Sequence, residues 1–160
     1  MPGREEEIAA LSTMLRAALS SSNGRRRGKA EPMGAQAKSI LLVDDDREFV
    51  AAQKLLLQEA GYEVSVAYDG QSGLELARSQ KPDLVILDIM METLDDGFEL
   101  CRNLRADESL KRSRLLVLTA VGRRFQMAFE PDNAWLPADR FLEKPVDPET
   151  LIAEVRGILN

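Results

Sequence analysis

Hydrophobic residues between positions 39 and 160 fall into short apolar runs that alternate with segments of helical spacing. The runs predict five strands, at 39–43, 63–67, 84–87, 114–118 and 140–142. The second run alternates apolar and polar residues, which is typical of an edge strand. The spacing predicts helices at 47–60, 71–80, 97–105 and 148–159, with a short helix at 122–127 and an extended loop after it.

Local signals mark the helix ends. Asp46 and Asp147 are predicted N-caps, and Pro148 suits a first helical position. Gly61 suits a C-terminal stop. The residues predicted to be buried are Phe49, Ala52, Leu56 and Ala60 in the first helix, Phe98, Cys101 and Leu104 in the third, and Leu151, Val155 and Ile158 in the last. Trp135 is expected to fold back onto the domain surface.

Strands that alternate with helices predict right-handed crossovers and a parallel sheet with helices on both faces. Five such units favour a flavodoxin-like α/β fold, doubly wound, with strand order 2-1-3-4-5. The predicted domain covers residues 39–160. In this order the first, third and fourth strands are neighbours, so side chains at their carboxyl ends should meet.

Residues 1–38 form a separate N-terminal extension. Ile8, Leu11 and Leu15 recur at helical spacing, and a basic, breaker-rich linker follows around 25–34. Two interpretations stay open: a flexible, solvated segment, or a short amphipathic helix that docks on a partner or on a second copy of the chain.

Composition excludes several kinds of chemistry. The chain has 160 residues and a net charge of −6, so no global signal points to nucleic acid. It contains no histidine, which removes histidine-based triads, histidine metal sites and a phosphohistidine carrier role. Cys101 is the single cysteine, so no intramolecular disulfide can form. Neither a membrane span nor a signal peptide is evident, and we expect a cytoplasmic protein.

Polar residues follow the predicted strands where open α/β sheets bind ligands. Asp44, Asp45 and Asp46 follow the first strand, and Asp88 follows the third. Clustered carboxylates repel one another and need a cation, and oxygen ligands favour Mg²⁺ or Mn²⁺. We assign Asp45 and Asp88 as direct ligands, Asp44 as a ligand through water, and the Met90 carbonyl as the last protein ligand.

Asp88 is also a candidate nucleophile for a phosphoryl group. Metal and lysine together can screen the incoming negative charge, and Lys144 supplies that lysine. Thr119 can donate its hydroxyl to a phosphoryl oxygen, and Ala120 leaves room for the group to enter. Pro145, directly after Lys144, suggests a fixed backbone and a cis bond.

Four motifs together resemble the receiver domain of two-component response regulators, of the stand-alone type. They are 41–46 (LLVDDD), 82–91 (PDLVILDIMM), 118–120 (LTA) and 144–145 (KP). The resemblance covers about residues 38–160. It implies that Asp88 accepts a phosphoryl group from a sensor histidine kinase or phosphotransfer protein. It also implies that Asp44 and Asp45 serve Mg²⁺, that Thr119 and Lys144 contact the phosphoryl group, and that Phe141 is the switch aromatic.

The chain differs from the family pattern in two loops. The segment 92–97 (ETLDDG) lacks the usual proline and is about one residue longer. The span from Thr119 to Lys144 is about three residues longer than usual. Met90 and Val121, which flank the expected path of attacking water, are apolar. We therefore predict slow loss of the phosphoryl group, because neither side chain can orient water.

The function predicted is a phosphorylation-dependent switch that signals by protein–protein contact. The last predicted helix ends the sequence, which leaves no further domain, so we expect no direct contact with nucleic acid; a homodimer is possible. One alternative is a receiver-like scaffold that works without phosphorylation. Another is a haloacid-dehalogenase-like phosphatase, which needs an acidic residue where Met90 stands. Beyond its own phosphorylation and dephosphorylation, we expect no enzymatic activity.

Overall fold

The structure, a computed structural model, describes residues 36–89, 91, 94–120 and 138–160, with the backbone alone at 94 and 95. The strands are β1 Ser39–Val43, β2 Glu63–Ala67, β3 Leu84–Asp88, β4 Arg114–Thr119 and β5 Arg140–Glu143. The helices are α1 Arg47–Glu59, α2 Gly70–Gln80, α3 Leu94–Ala106 and α4 Pro148–Leu159. A short 3₁₀ helix, Glu108–Leu110, precedes β4.

All five strands pair in parallel in the order β2-β1-β3-β4-β5, which confirms the predicted topology. β3 is buried along its whole length because strands flank it on both sides. β2 lies at the edge and is half-buried at its three central residues, as its alternating sequence predicted.

Successive residues of each strand point to opposite faces of the sheet, so the domain has two hydrophobic clusters. One holds Leu41, Val85 and Val117 beneath α2 and α3. The other holds Leu42 and Ile86 beneath α1 and α4. The sheet is therefore covered on both faces, which is the doubly wound arrangement.

The two predicted N-caps and the predicted glycine stop agree with the structure. The Asp46 side chain accepts a hydrogen bond from the Phe49 N–H, and the Asp147 side chain accepts one from the Thr150 N–H. Gly61 has a φ of 100°, a left-handed conformation that glycine adopts without a steric penalty. The predicted first and last helices therefore begin where α1 and α4 begin.

The predicted start of α3 and several residues predicted to be buried need correction. α3 begins at Leu94 rather than at Gly97, because Asp96, directly before the glycine, lies in the first helical turn, where the helix dipole favours negative charge. In α1 the buried residues are Val50, Gln53, Leu56 and Leu57. The prediction was right for Leu56, but Phe49, Ala52 and Ala60 are only half-buried. Phe98 in α3 and Ile158 in α4 are likewise half-buried, whereas the other residues predicted to be buried in those two helices are buried.

Predictions in other segments fall outside the described residues. They concern the helix and linker within 1–35, the short helix at 122–127 and its loop, Trp135, Val121 and the Met90 carbonyl. Along the ranges that are described, no helix combines the length and the apolar composition that a bilayer span requires.

Candidate functional site

The candidate site lies at the carboxyl ends of β1, β3 and β4. Asp44 and Asp45 follow β1, and Asp88 is the last residue of β3. One carboxylate oxygen from each of these three residues lies within 4.8 Å of the others. Asp44 and Asp88 are buried, with 4% and 5% of their surface exposed, whereas Asp45 is exposed. The strand order predicted this convergence, since β1 and β3 are neighbours.

Lys144, directly after β5, completes the cluster. Its Nζ lies 2.8 Å from Asp44 Oδ2 and 3.3 Å from Asp88 Oδ2. Burial alone would lower the pKa of this ammonium, but the charges and hydrogen bonds of the two carboxylates outweigh burial and hold that pKa above its ordinary value. Lys144 is therefore a permanent positive charge at neutral pH.

Backbone contacts fix the lysine and the first aspartate. The Lys144 N–H donates to the Thr119 carbonyl over 2.7 Å, and the bond between Lys144 and Pro145 is cis, as its sequence suggested. Asp44 Oδ1 accepts from the Asp46 N–H over 2.9 Å. Both oxygens of Asp44 are thus bonded, because Oδ2 accepts from Lys144.

Thr119 and Phe141 lie beside this cluster. Thr119 is the last residue of β4 and is 3% exposed, and Ala120 after it is exposed. Phe141 pairs with Val117 in the register of β4 and β5. Its half-buried ring packs against the hydrophobic cluster beneath α2 and α3. The Met90 carbonyl belongs to the predicted site but not to the described residues.

Sequence reasoning missed one contributor to the site. The Phe49 ring, in the first turn of α1, lies 4.0 Å from Lys144 Nζ and makes a cation–π contact. The helical spacing predicts only that Phe49 lies on a buried helix face. Its position three residues after the N-cap Asp46 could have placed it here, since the first turn of α1 borders the carboxyl end of β1.

A backbone contact also shapes the site. A Cβ on Gly97 would lie 2.4 Å from the Ile89 carbonyl oxygen, so only glycine lets α3 pack this closely against the segment after Asp88. The sequence segment 92–97, which departs from the family pattern, thus has its glycine where this contact requires it.

A parallel doubly wound sheet with clustered carboxylates and a lysine at its switch point is the architecture of a receiver module. Residues 40–156 match the response regulator receiver domain, and the chain belongs to that family. Members of this family are signalling domains of two-component systems rather than conventional enzymes.

Curated relatives include two bacterial transcription regulators. One is the alkaline phosphatase synthesis transcriptional regulatory protein PhoP of Bacillus subtilis, 37% identical over 77% of this chain and 49% of its own length. The other is the DNA-binding dual master transcriptional regulator RpaA of Synechocystis, 39% identical over 76% of this chain and 48% of its own. The chain thus spans about half the length of these relatives.

Solved structures that are similar to this chain belong to the same family. The chemotaxis protein CheY4 of Vibrio cholerae superposes with a TM-score of 0.68 at 30% identity, over 78% of this chain and all of its own. The BeF3-activated receiver domain of Klebsiella pneumoniae RstA gives 0.66 at 28% identity, over 77% of this chain and 99% of its own.

Proposed function

We propose that Asp88 accepts a phosphoryl group, with Mg²⁺ bound beside it, and that the modified domain then signals through protein contacts. The observation that carries the proposal is the meeting of three carboxylates and one lysine at the ends of β1, β3 and β5. A sensor histidine kinase or a phosphotransfer protein is the proposed donor, as membership of the receiver family supports.

The donor set fits a hard divalent cation. The cluster offers oxygen atoms alone, from Asp44, Asp45 and Asp88, and such ligands suit Mg²⁺ or Mn²⁺. Three carboxylates and the Lys144 ammonium leave two negative charges, which one divalent cation neutralises. Asp45 and Asp88 would hold it directly and Asp44 through water, because Asp44 already bonds Lys144 and the Asp46 N–H. The Met90 carbonyl stays a proposed fourth ligand.

Transfer to Asp88 needs a nucleophile and a means to offset negative charge. A carboxylate oxygen of Asp88 attacks phosphorus while the bond from phosphorus to the donor nitrogen breaks, and the imidazole departs. Lys144 Nζ lies 3.3 Å from Asp88 Oδ2, so its ammonium group is close enough to donate hydrogen bonds to the new phosphoryl oxygens and to offset their negative charge. A bound Mg²⁺ would supply Lewis-acid stabilisation of those oxygens.

The response to phosphorylation is proposed to pass through Thr119 and Phe141. Thr119, at the end of β4, can donate its hydroxyl to a phosphoryl oxygen, and the exposed Ala120 leaves space for the group. Phe141 is half-buried on the edge strand β5, so inward movement of its ring would change the surface offered to partners. Partners proposed for that surface are a downstream protein or a second copy of the chain.

The decisive experiment is incubation with acetyl phosphate and Mg²⁺, followed by intact mass measurement. We expect a gain of one phosphoryl group that EDTA prevents and Asp88→Asn abolishes. Asp147→Asn is the matched control, since Asp147 caps α4 and is not one of the clustered carboxylates, so this variant should leave the gain unchanged. No gain in the wild-type protein would favour a scaffold that works without phosphorylation.

The lifetime of the phosphorylated state has its own test. Met90 and Val121 are apolar, so we propose that decay is slow. A variant with Met90→Asn and Val121→Glu should lose the group faster than the wild-type protein when both are followed by mass after donor removal. Equal decay rates would refute this part of the proposal.

A further inference from the structure

Gln53 lies in α1 on the side that faces the sheet, with 1% of its surface exposed. Neither Oε1 nor Nε2 of its side chain has a hydrogen-bonding partner within residues 36–89, 91, 94–120 and 138–160. A primary amide offers two donors and an acceptor oxygen, and buried polar groups are nearly always paired, with protein or with water. The unpaired amide of Gln53 therefore points to a polar ligand in the interior.

A small cavity adjoins this amide. The volume within which the centre of a water molecule can lie is about 10 Å³. This is close to the smallest volume, in the same measure, that holds one water molecule. Gln53, Asp44 and Asp88 line it together, and the remaining wall is aliphatic apart from the Phe49 ring. The cavity is too small for an organic ligand, but the amide and two carboxylates provide the polar partners that a buried water needs.

We infer that one internal water molecule in this cavity joins the Gln53 amide to the acidic cluster. The water accepts a hydrogen from Nε2 or donates one to Oε1, and it donates another to a carboxylate oxygen of Asp44 or Asp88. An ionised carboxylate has about four lone-pair positions, so it can accept this bond in addition to that from Lys144.

This contact makes Gln53 a positioning residue. The water fixes the orientation of a carboxylate from the α1 side, whereas Lys144 contacts both carboxylates from the end of β5. The inference rests on the proposed function, because the carboxylates it orients are the proposed metal ligands. Loss of a group that orients a metal ligand weakens metal binding by about 10–100-fold.

The first experiment measures Mg²⁺ affinity by isothermal titration. Gln53→Met keeps the length of the side chain but removes its polar atoms, so we expect the dissociation constant to rise about tenfold or more. Leu57→Met is the matched control, since Leu57 is fully buried in the same helix and does not line the cavity. An unchanged affinity in Gln53→Met, or an equal loss in both variants, would overturn the positioning role.

The second experiment detects the water without metal or phosphoryl donor. Water–protein cross-relaxation by NMR should show a long-lived water next to the Gln53 side-chain NH2 group in the metal-free wild-type protein. Absence of that signal would overturn the water site whatever the titrations show. A wild-type protein that binds no Mg²⁺ would instead refute the proposed function, and the NMR signal would still decide whether the cavity binds water.

Discussion

Replacing Gly97 with alanine tests the packing that places the segment after Asp88. The new Cβ would lie 2.4 Å from the Ile89 carbonyl oxygen and 2.7 Å from its Cα, while ordinary contact begins at 3.4 Å. α3 would have to move by about 1 Å, because the atoms it meets belong to the backbone and cannot rotate away.

The expected loss of stability follows from two opposing effects. Overpacking of a well-packed site costs about 1–3 kcal/mol, while alanine in place of glycine within a helix gains about 0.5–1 kcal/mol. We therefore expect Gly97→Ala to lower the free energy of unfolding by up to about 2.5 kcal/mol, and in any case to miss the gain in stability that alanine brings at an unhindered helix position. The Mg²⁺ affinity should fall as well, since Ile89 directly follows Asp88.

Gly157→Ala is the matched control. Gly157 lies within α4, and apart from its chain neighbours and the adjoining helix backbone no atom of the described residues lies within 4 Å of the position its Cβ would take. Only the gain in helix propensity remains, so this variant should be more stable than wild type by about 0.5–1 kcal/mol. Urea unfolding with linear extrapolation measures both. A Gly97→Ala protein as stable as Gly157→Ala would refute the packing argument.

Three further predictions use the charges and the burial of single side chains. Burial raises the pKa of Cys101 to about 12, so its thiol should resist Ellman's reagent until the protein is denatured; rapid reaction in native buffer would contradict this. Hydrogen bonds from the Ser109 and Arg78 side chains lower the pKa of Asp107 to about 2. Ionised Asp107 therefore adds to the free energy of unfolding above a pH of about 4, and this contribution is lost as the pH falls towards 2. The difference in the free energy of unfolding between wild type and Asp107→Asn should become smaller as the pH is lowered from about 4 to about 2. A difference that stays constant over this pH range would refute the prediction. Lys144→Met removes the hydrogen-bond donor to two buried carboxylates, Asp44 and Asp88. In urea unfolding without metal, the free energy of unfolding should fall by about 1–3 kcal/mol or more. An unchanged unfolding midpoint would contradict a stabilising role of the ion pairs.

Most of the fold could be predicted because β1, β3 and β4 are buried on both faces and form continuous apolar runs, while the edge strand β2 has the alternating pattern of a half-buried strand. β1 and β2 have the predicted bounds, and β3, β4 and β5 each extend one residue further. The convergence of Asp44, Asp45 and Asp88 needed only the strand order, since the carboxyl ends of parallel neighbours lie at one edge of the sheet.

The features that sequence reasoning missed depend on tertiary contacts. The start of α3 was placed too late, because Asp-Asp-Gly is typical of a turn when taken alone. Here Gly97 is required by the close approach of Ile89 rather than by a turn. The buried face of α1 was misassigned because Gln53 interrupts its apolar stripe, and no local rule predicts a buried glutamine.

The contact of Phe49 with Lys144 was missed for a similar reason. The two residues come from α1 and from the end of β5, and only the folded sheet brings them together. Sequence patterns near Phe49 describe its helix, not the ammonium group that its ring contacts. The convergence of the three carboxylates could therefore be predicted from the strand ends, but the aromatic contact to the lysine could not.

The most direct test of the central claim is to locate the phosphoryl group on the chain. Borohydride reduces an aspartyl phosphate to homoserine, and peptide mass mapping then identifies the residue that carried it. After treatment with acetyl phosphate and Mg²⁺, we predict homoserine at position 88 and at no other aspartate. Conversion at a different carboxylate, or none at Asp88 under conditions that phosphorylate a known receiver domain, would contradict the account.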